Sequence, residues 1–284
     1  MTEQSTPKLL EHYTLGEVFS NKNGIRCYPA TDNRTGKRYV AKVQKIPYSP
    51  SVTEAFLLSG AFEDAEEMNE YYSSLAKDLC RQAAILNALS YNDCFSHFTS
   101  CETIKCKDIG YEVWLISSYR NTLATLFGKI QLSKNKILEL GITLCRGLRL
   151  CREAGFLYTG IKPENIYISE DGKFTIGDIG FIPLSSLPFA TLPLRHHSAY
   201  TPADNHDCFS HISDNLDVYG VGVVLYQALS GGKLPEKITE PPQNADKEIA
   251  DIIMTACAPS TGSRWKTPSE LEAALSACIE SRNS

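Results

Sequence analysis

No two of the ten cysteines in this 284-residue chain form a C-x-x-C pair, so neither a zinc ribbon nor a dithiol motif can be read from their spacing. Long apolar runs are also missing: the longest, Val218 to Leu229, is too short to cross a bilayer. At the start, Met1-Thr2-Glu3-Gln4-Ser5 lacks a cationic stretch followed by an apolar one, so no leader or membrane segment is expected. Positive charge is in short supply, with 28 Lys and Arg against 33 Asp and Glu and a formal net charge of -5. The basic residues are dispersed and form no stripe to neutralise a phosphate backbone, which argues against a nucleic-acid partner.

A chain of this length buries roughly three quarters of the surface it exposes when unfolded, so it needs no disulfide or metal staple. Several cysteines fall in helix-like apolar runs such as Leu144-Cys145-Arg146-Gly147-Leu148. They are expected to be reduced, mostly buried thiols of a cytoplasmic protein, none with a cationic neighbourhood to activate it.

With 43% hydrophobic residues, the chain has the composition of a folded protein. Residues 13–48 hold short β-like runs, among them Arg38 to Val43, separated by turn signals at Asn23-Gly24 and Asp32 to Gly36. Leu75, Leu79, Ala83 and Leu86 then recur at helical steps within residues 53–90, and the acidic stretch Glu63 to Glu67 reads as a solvated face. Strands are expected over Glu102–Lys107 and Tyr111–Ser117, and mainly helix from Leu123 onward. The polar segment Ser117 to Asn121 reads as a hinge, which divides the chain into a tail (1–12), a β-rich part (13–117) and a helical part (118–284).

The chemistry concentrates in Leu157-Tyr158-Thr159-Gly160-Ile161-Lys162-Pro163-Glu164-Asn165-Ile166-Tyr167-Ile168 and, ten residues on, Asp178-Ile179-Gly180. An Asn and an Asp on adjacent loops suit a hard divalent cation, which takes oxygen ligands. Upstream, Val40-Ala41-Lys42 puts an ammonium on a strand, where it could meet phosphates as a point charge.

In this order and with these flanks the motifs resemble a protein kinase, specifically the bacterial serine/threonine kinase-like family, over roughly residues 10–280. Asp217 to Tyr226 is similar to the core helix of the family's large lobe. Arg264 matches the Arg that pairs with an acid closing the activation segment, here Asp204 in Tyr200-Thr201-Pro202-Ala203-Asp204. The resemblance implies an α+β fold of two lobes, an antiparallel-sheet N-lobe and a mainly helical C-lobe, clamping ATP. It assigns nucleotide contacts to Gly16, Val18, Ala41, Lys42, Gln82, Ile116, Asn165 and Asp178, Mg²⁺ to Asn165 and Asp178, and a phosphate contact to Lys162. Ile116 would stand at the back of the adenine pocket, with Ser117 the alternative one residue on.

The departures from the family pattern are as informative as the matches. Where the family has H-R-D, this chain has Tyr158-Thr159-Gly160. The lost Asp would orient a substrate hydroxyl and take its proton, a role worth about 10²–10⁴ in rate. Thr159 replaces the Arg that would hold a phosphate on Ser185, Ser186, Thr191 or Ser198, and His197 stands where a Thr usually bonds the catalytic-loop Asp. Gln82 replaces the Glu that pairs with the strand lysine; it can accept a hydrogen bond from Lys42 but offers no ion pair. About forty positions separate Lys42 from Gln82, which leaves room for an extra helix and lets Glu66, Glu67 or Glu70 substitute for the missing acid. Over the nucleotide only Gly16 and Gly24 remain of the family's glycines, and Glu17 and Phe19 would hinder close approach to phosphate.

Blander readings stand beside these. Lys42 could be an ordinary strand lysine, and Asn165 and Asp178 plain turn residues. His206, Cys208 and His211 lie in a loop-like segment and read as polar surface rather than metal ligands. The expectation is a pseudokinase that binds ATP weakly or conditionally, with Mg²⁺, and acts through contact with an unidentified protein partner. Two alternatives are an atypical kinase or other ATP-dependent transferase on the same fold, and a pure scaffold whose cleft is filled by apolar side chains.

Overall fold

The computed structural model describes residues 7–22, 25–47, 49–158, 160–177, 181–183, 199–202 and 215–283. They group into two compact units, Met1–Tyr91 with His97–Tyr119, and Asn92–Ser96 with Arg120–Ser284. The sequence thus folds as an antiparallel-sheet unit and a mainly helical one, an α+β architecture.

In the first unit β1 (Tyr13–Leu15), β3 (Ile25–Asp32), β4 (Arg38–Ile46), β6 (Tyr111–Ser118) and β5 (Phe98–Lys105) pair in that order, and β2 (Ser20–Lys22) also pairs with β3. All of these pairings are antiparallel. The turn between β3 and β4 forms because Asp32 Oδ1 accepts from the Arg34 N–H at 2.8 Å and Gly36 supplies a positive φ of 68°. Side chains alternate across the sheet, so Ala41, Val43, Trp114 and Ile116 share one face and are buried together with Ala30, Ile104 and Leu10. The opposite face of β5 meets α2 (Ala65–Leu89), which buries the stripe Met68, Tyr72, Ala76, Leu79, Gln82, Ala83 and Leu86.

Residues 53–90 form two helices. A separate α1 (Pro50–Ser59) ends at Gly60 and occupies the extra length upstream of Gln82. The acidic stretch is the start of α2: the Asp64 carboxylate accepts from the Glu66 and Glu67 N–H groups, and Glu67 reaches back to the Glu63 N–H. Carboxylates here cap orphan donors and complement the positive end of the helix dipole.

The second unit is built on α4 (Lys134–Glu153), α5 (Leu216–Leu229), α6 (Lys247–Ala256) and α7 (Pro268–Asn283), with α4 packed on both α5 and α7. Short pieces carry the chain between helices: β7 (Asn121–Thr122), α3 (Leu123–Leu126), β8 (Phe156–Tyr158), β9 (Ile166–Ile168), β10 (Phe174–Ile176) and β11 (Phe181–Pro183). The helical spacing of α4 turns Leu138, Leu144 and Leu148 inward, each with no exposed surface. Truncating such a residue removes buried methyl groups and leaves a void. Leu144→Ala should therefore destabilise the second unit by about 3 kcal/mol, read as a lowered urea midpoint.

Candidate functional site

On the first unit, Lys42 sits in the middle of β4, opposite Cys27 on β3 and Leu115 on β6. Directly paired residues point the same way, so Lys42 shares its face with Leu115, and the pairs on either side add Val40 with Ser117 and Gln44 with Val113. Cys101 and Thr103 of β5, which pair with Leu115 and Val113, extend the same face. It is the face α2 covers, because Cys80 of α2 reaches both Cys101 and Thr103.

The same alternation separates two of the expected nucleotide contacts from the lysine's side. Ala41 and Ile116, read as nucleotide contacts, lie on the opposite face, fully buried against Val43, Trp114 and Leu10. Val40 and Ser117 hold the equivalent positions on the lysine's side. A slip of one residue reverses every side chain of a strand, and composition alone does not fix it.

Gln82 is 3% exposed, within the buried stripe of α2. Its Oε1 finds no hydrogen-bond partner among the described residues, so the expected bond from Lys42 is not made. Glu70 lies about 18 Å up the helix from Gln82, at 1.5 Å per residue. Glu66 and Glu70 instead line an open polar cleft with Lys77, Lys105 and Tyr111, and Glu67 is engaged by the Glu63 N–H at 2.6 Å. Gly16 donates its N–H to the Pro29 carbonyl at 2.8 Å, and a Cβ there would come within 2.8 Å of the Pro29 ring, so strand packing already accounts for this glycine. Val18 is 46% exposed.

On the second unit, the segment expected to be the catalytic loop is tied by four hydrogen bonds. The buried Tyr158 hydroxyl donates to the Gly177 carbonyl at 2.7 Å, and the Gly177 N–H donates to the Asn165 carbonyl at 2.8 Å. Asn165 Nδ2 donates to the Gly160 carbonyl at 2.9 Å, and its own N–H to the Lys162 carbonyl at 2.9 Å. Asn165, at 6% exposure, thus commits its amide N–H to the loop and leaves Oδ1, a neutral oxygen donor of the kind hard cations accept.

Gly160 is crowded as well as bare. A Cβ added there would stand 3.0 Å from both Cζ and Oη of Tyr158 and 3.2 Å from Asn165 Nδ2. At Gly177 a Cβ would fall 1.7 Å from the Tyr167 ring, so only glycine fits immediately before Asp178.

Asp217, at 3% exposure, opens α5 as expected. Arg264 is buried, donating to the Ala258 and Pro259 carbonyls at 2.6 and 2.8 Å and lying 5.2 Å from the Tyr219 ring centroid. Asp178, Thr159, His197, Asp204, the proposed phosphate positions of the activation segment and the group His206, Cys208 and His211 lie outside the described residues. Among the described residues no set of three His, Cys, Asp or Glu side chains gathers as a metal site, and no helix is long and apolar enough to cross a membrane.

One pair escaped the sequence reading, which took every thiol as inert. The sulfurs of Cys80 and Cys101 meet at 2.6 Å, and the hydrogen bond from Cys101 lowers the Cys80 pKa to about 6. No local motif could have revealed a contact made across two elements.

The family model for the protein kinase domain matches residues 65–282, from the first turn of α2 into α7; Lys42 and Gly16 lie ahead of that stretch. The chain is 31% identical over 100 residues to a Wee1-like protein kinase of Oryza sativa subsp. japonica, covering 35% of this chain and 18% of that protein. It is 24% identical over 152 residues to a probable serine/threonine-protein kinase of Clostridium perfringens, covering 47% and 22%. A probable serine/threonine-protein kinase of Dictyostelium discoideum is 23% identical over 194 residues, covering 68% and 38%. The aligned stretches thus span well under half the length of each of these relatives.

The crowding at Gly160 generates a prediction. Gly160→Asp should lower stability by about 1–3 kcal/mol, as overpacking does. The loss is read as a lowered thermal midpoint of the variant against the wild type.

Proposed function

Because the chain belongs to the protein kinase family, we propose that it is a pseudokinase: a kinase-fold protein that binds ATP weakly, with Mg²⁺, has lost ordinary phosphoryl transfer, and signals by nucleotide-modulated contact with another protein. The observation that carries this reading is Gly160. Its carbonyl is held by Asn165, yet it has no side chain to accept a proton, and a Cβ there would make tight contacts of 3.0 Å with Tyr158.

Protein kinase domains generally use ATP and Mg²⁺. Among the residues assigned to this role, Lys42 would meet the phosphates, and Asn165 Oδ1 with Asp178 would hold the cation. The donor set fits a hard ion, since the Asn165 amide nitrogen is already occupied and its oxygen is available. Bound Mg²⁺ would neutralise charge on the phosphate oxygens. What the chain does not offer is a group at Gly160 to accept a hydroxyl proton, or an acid at Gln82 to fix Lys42. Val40 and Ser117 on the lysine's face are modest in size, which favours nucleotide binding over a scaffold blocked by Ile116.

Thermal unfolding with ATP, with and without Mg²⁺, tests the reading. A ligand at one hundred times its Kd stabilises by about 2.7 kcal/mol. A Mg²⁺-dependent rise of a few degrees is expected, absent from Asp178→Ala and reduced in Lys42→Ala. Transfer of label from ATP marked at the γ-phosphate should stay at background in the wild type. Label incorporation that vanishes in Asp178→Ala would make the protein an enzyme instead, and no shift at millimolar nucleotide would make it a scaffold.

A further inference from the structure

The sheet's covered face brings together two thiols that the nucleotide reading does not use. Cys80 lies in the middle of α2, and Cys101 lies on β5, opposite Leu115. Their sulfurs are 2.6 Å apart, and the Thr103 hydroxyl lies 3.2 Å from the Cys80 sulfur. Both residues are half-buried rather than sealed, unlike Cys145, Cys151, Cys257 and Cys278. We propose that Cys80 and Cys101 are a reversible redox pair, oxidised by hydroperoxides to a disulfide that fastens α2 to β5.

The geometry supplies what such a pair needs. A disulfide requires two sulfurs that can meet without moving the backbone, and these already touch. The attacking form is the thiolate, which Cys80 favours because Cys101 and Thr103 can both donate hydrogen bonds to it; the same hydrogen bond with Cys80, and then burial, hold the Cys101 proton on. The Cys80 thiolate attacks one peroxide oxygen, so that an S–O bond forms, the O–O bond breaks and hydroxide leaves to be protonated to water. The Cys101 sulfur, giving up its proton, then attacks the Cys80 sulfur; the S–S bond forms and the S–O bond breaks, releasing a second water. In sum, two thiols and hydrogen peroxide give one disulfide and two waters, with two electrons passing to the peroxide.

The consequence is mechanical. Cys80 stands two residues from Gln82, so the staple would fix the stretch of α2 that carries this buried amide. It would also close the loop from residue 80 to 101, which restricts the unfolded chain.

The test is a thiol map of the whole protein, which needs no nucleotide and stands or falls apart from ATP binding. The purified chain is titrated with hydrogen peroxide, alkylated and digested without reductant. The expected first product is a peptide linking Cys80 to Cys101, reversed by a dithiol reductant and accompanied by a rise of roughly 5 °C in the unfolding midpoint. In Cys101→Ser, Cys80 should instead be trapped by dimedone as the sulfenic acid; in Cys80→Ser, Cys101 should remain a thiol. Oxidation of Cys27, Cys94 or Cys106 while Cys80 and Cys101 both stay alkylatable would overturn the proposal. So would separate oxidation of the two without a linked peptide in the wild type, a result that depends on no variant folding.

Discussion

The hydrogen bond from the Tyr158 hydroxyl to the Gly177 carbonyl holds β8 to the residue before Asp178, and the rest of the loop is arranged around it. A buried phenol without a partner would cost about 1–3 kcal/mol, so the contact is held firmly. Gly177 returns a second bond to Asn165, which in turn holds the Gly160 carbonyl. The cost of this arrangement is space: the Tyr158 ring lies 3.0 Å from where a side chain at position 160 would begin. Tyr158 thus both ties the loop through its hydroxyl and crowds position 160 with its ring.

Burial of the Tyr167 ring over Gly177 extends the same logic. Large aromatic groups fill the space around the loop, and glycines at 160 and 177 admit them. Packing and main-chain bonds thus both contribute to holding the loop.

In the sheet unit the governing constraint is alternation. Lys42 can face α2 only if Ala41 and Val43 face the other way, where Trp114, Ile116 and Leu10 enclose them. One register thus sets the neighbours of the lysine, the burial of the opposite face and the meeting of Cys80 with Cys101. Gln82 comes with the same packing: it occupies a core position of α2 and brings an amide whose oxygen finds no partner among the described residues.

By itself the sequence determined the fold class, the strands around Lys42, the helical second half and the Tyr158-Thr159-Gly160 departure, because these are carried by local period, turn residues and motif order. It also left room for an extra helix, which α1 fills. It did not reveal that Glu63 to Glu67 caps a helix, since a run of acids reads equally well as a solvated face until Asp64 is seen bonding the first-turn N–H groups. Which face of the sheet Ile116 takes, what crowds Gly160, where Glu66 and Glu70 point and which cysteine meets which were decided only by the tertiary structure. Each depends on contacts between residues far apart in the chain, set by strand register and helix packing, and neither leaves a signature in local spacing.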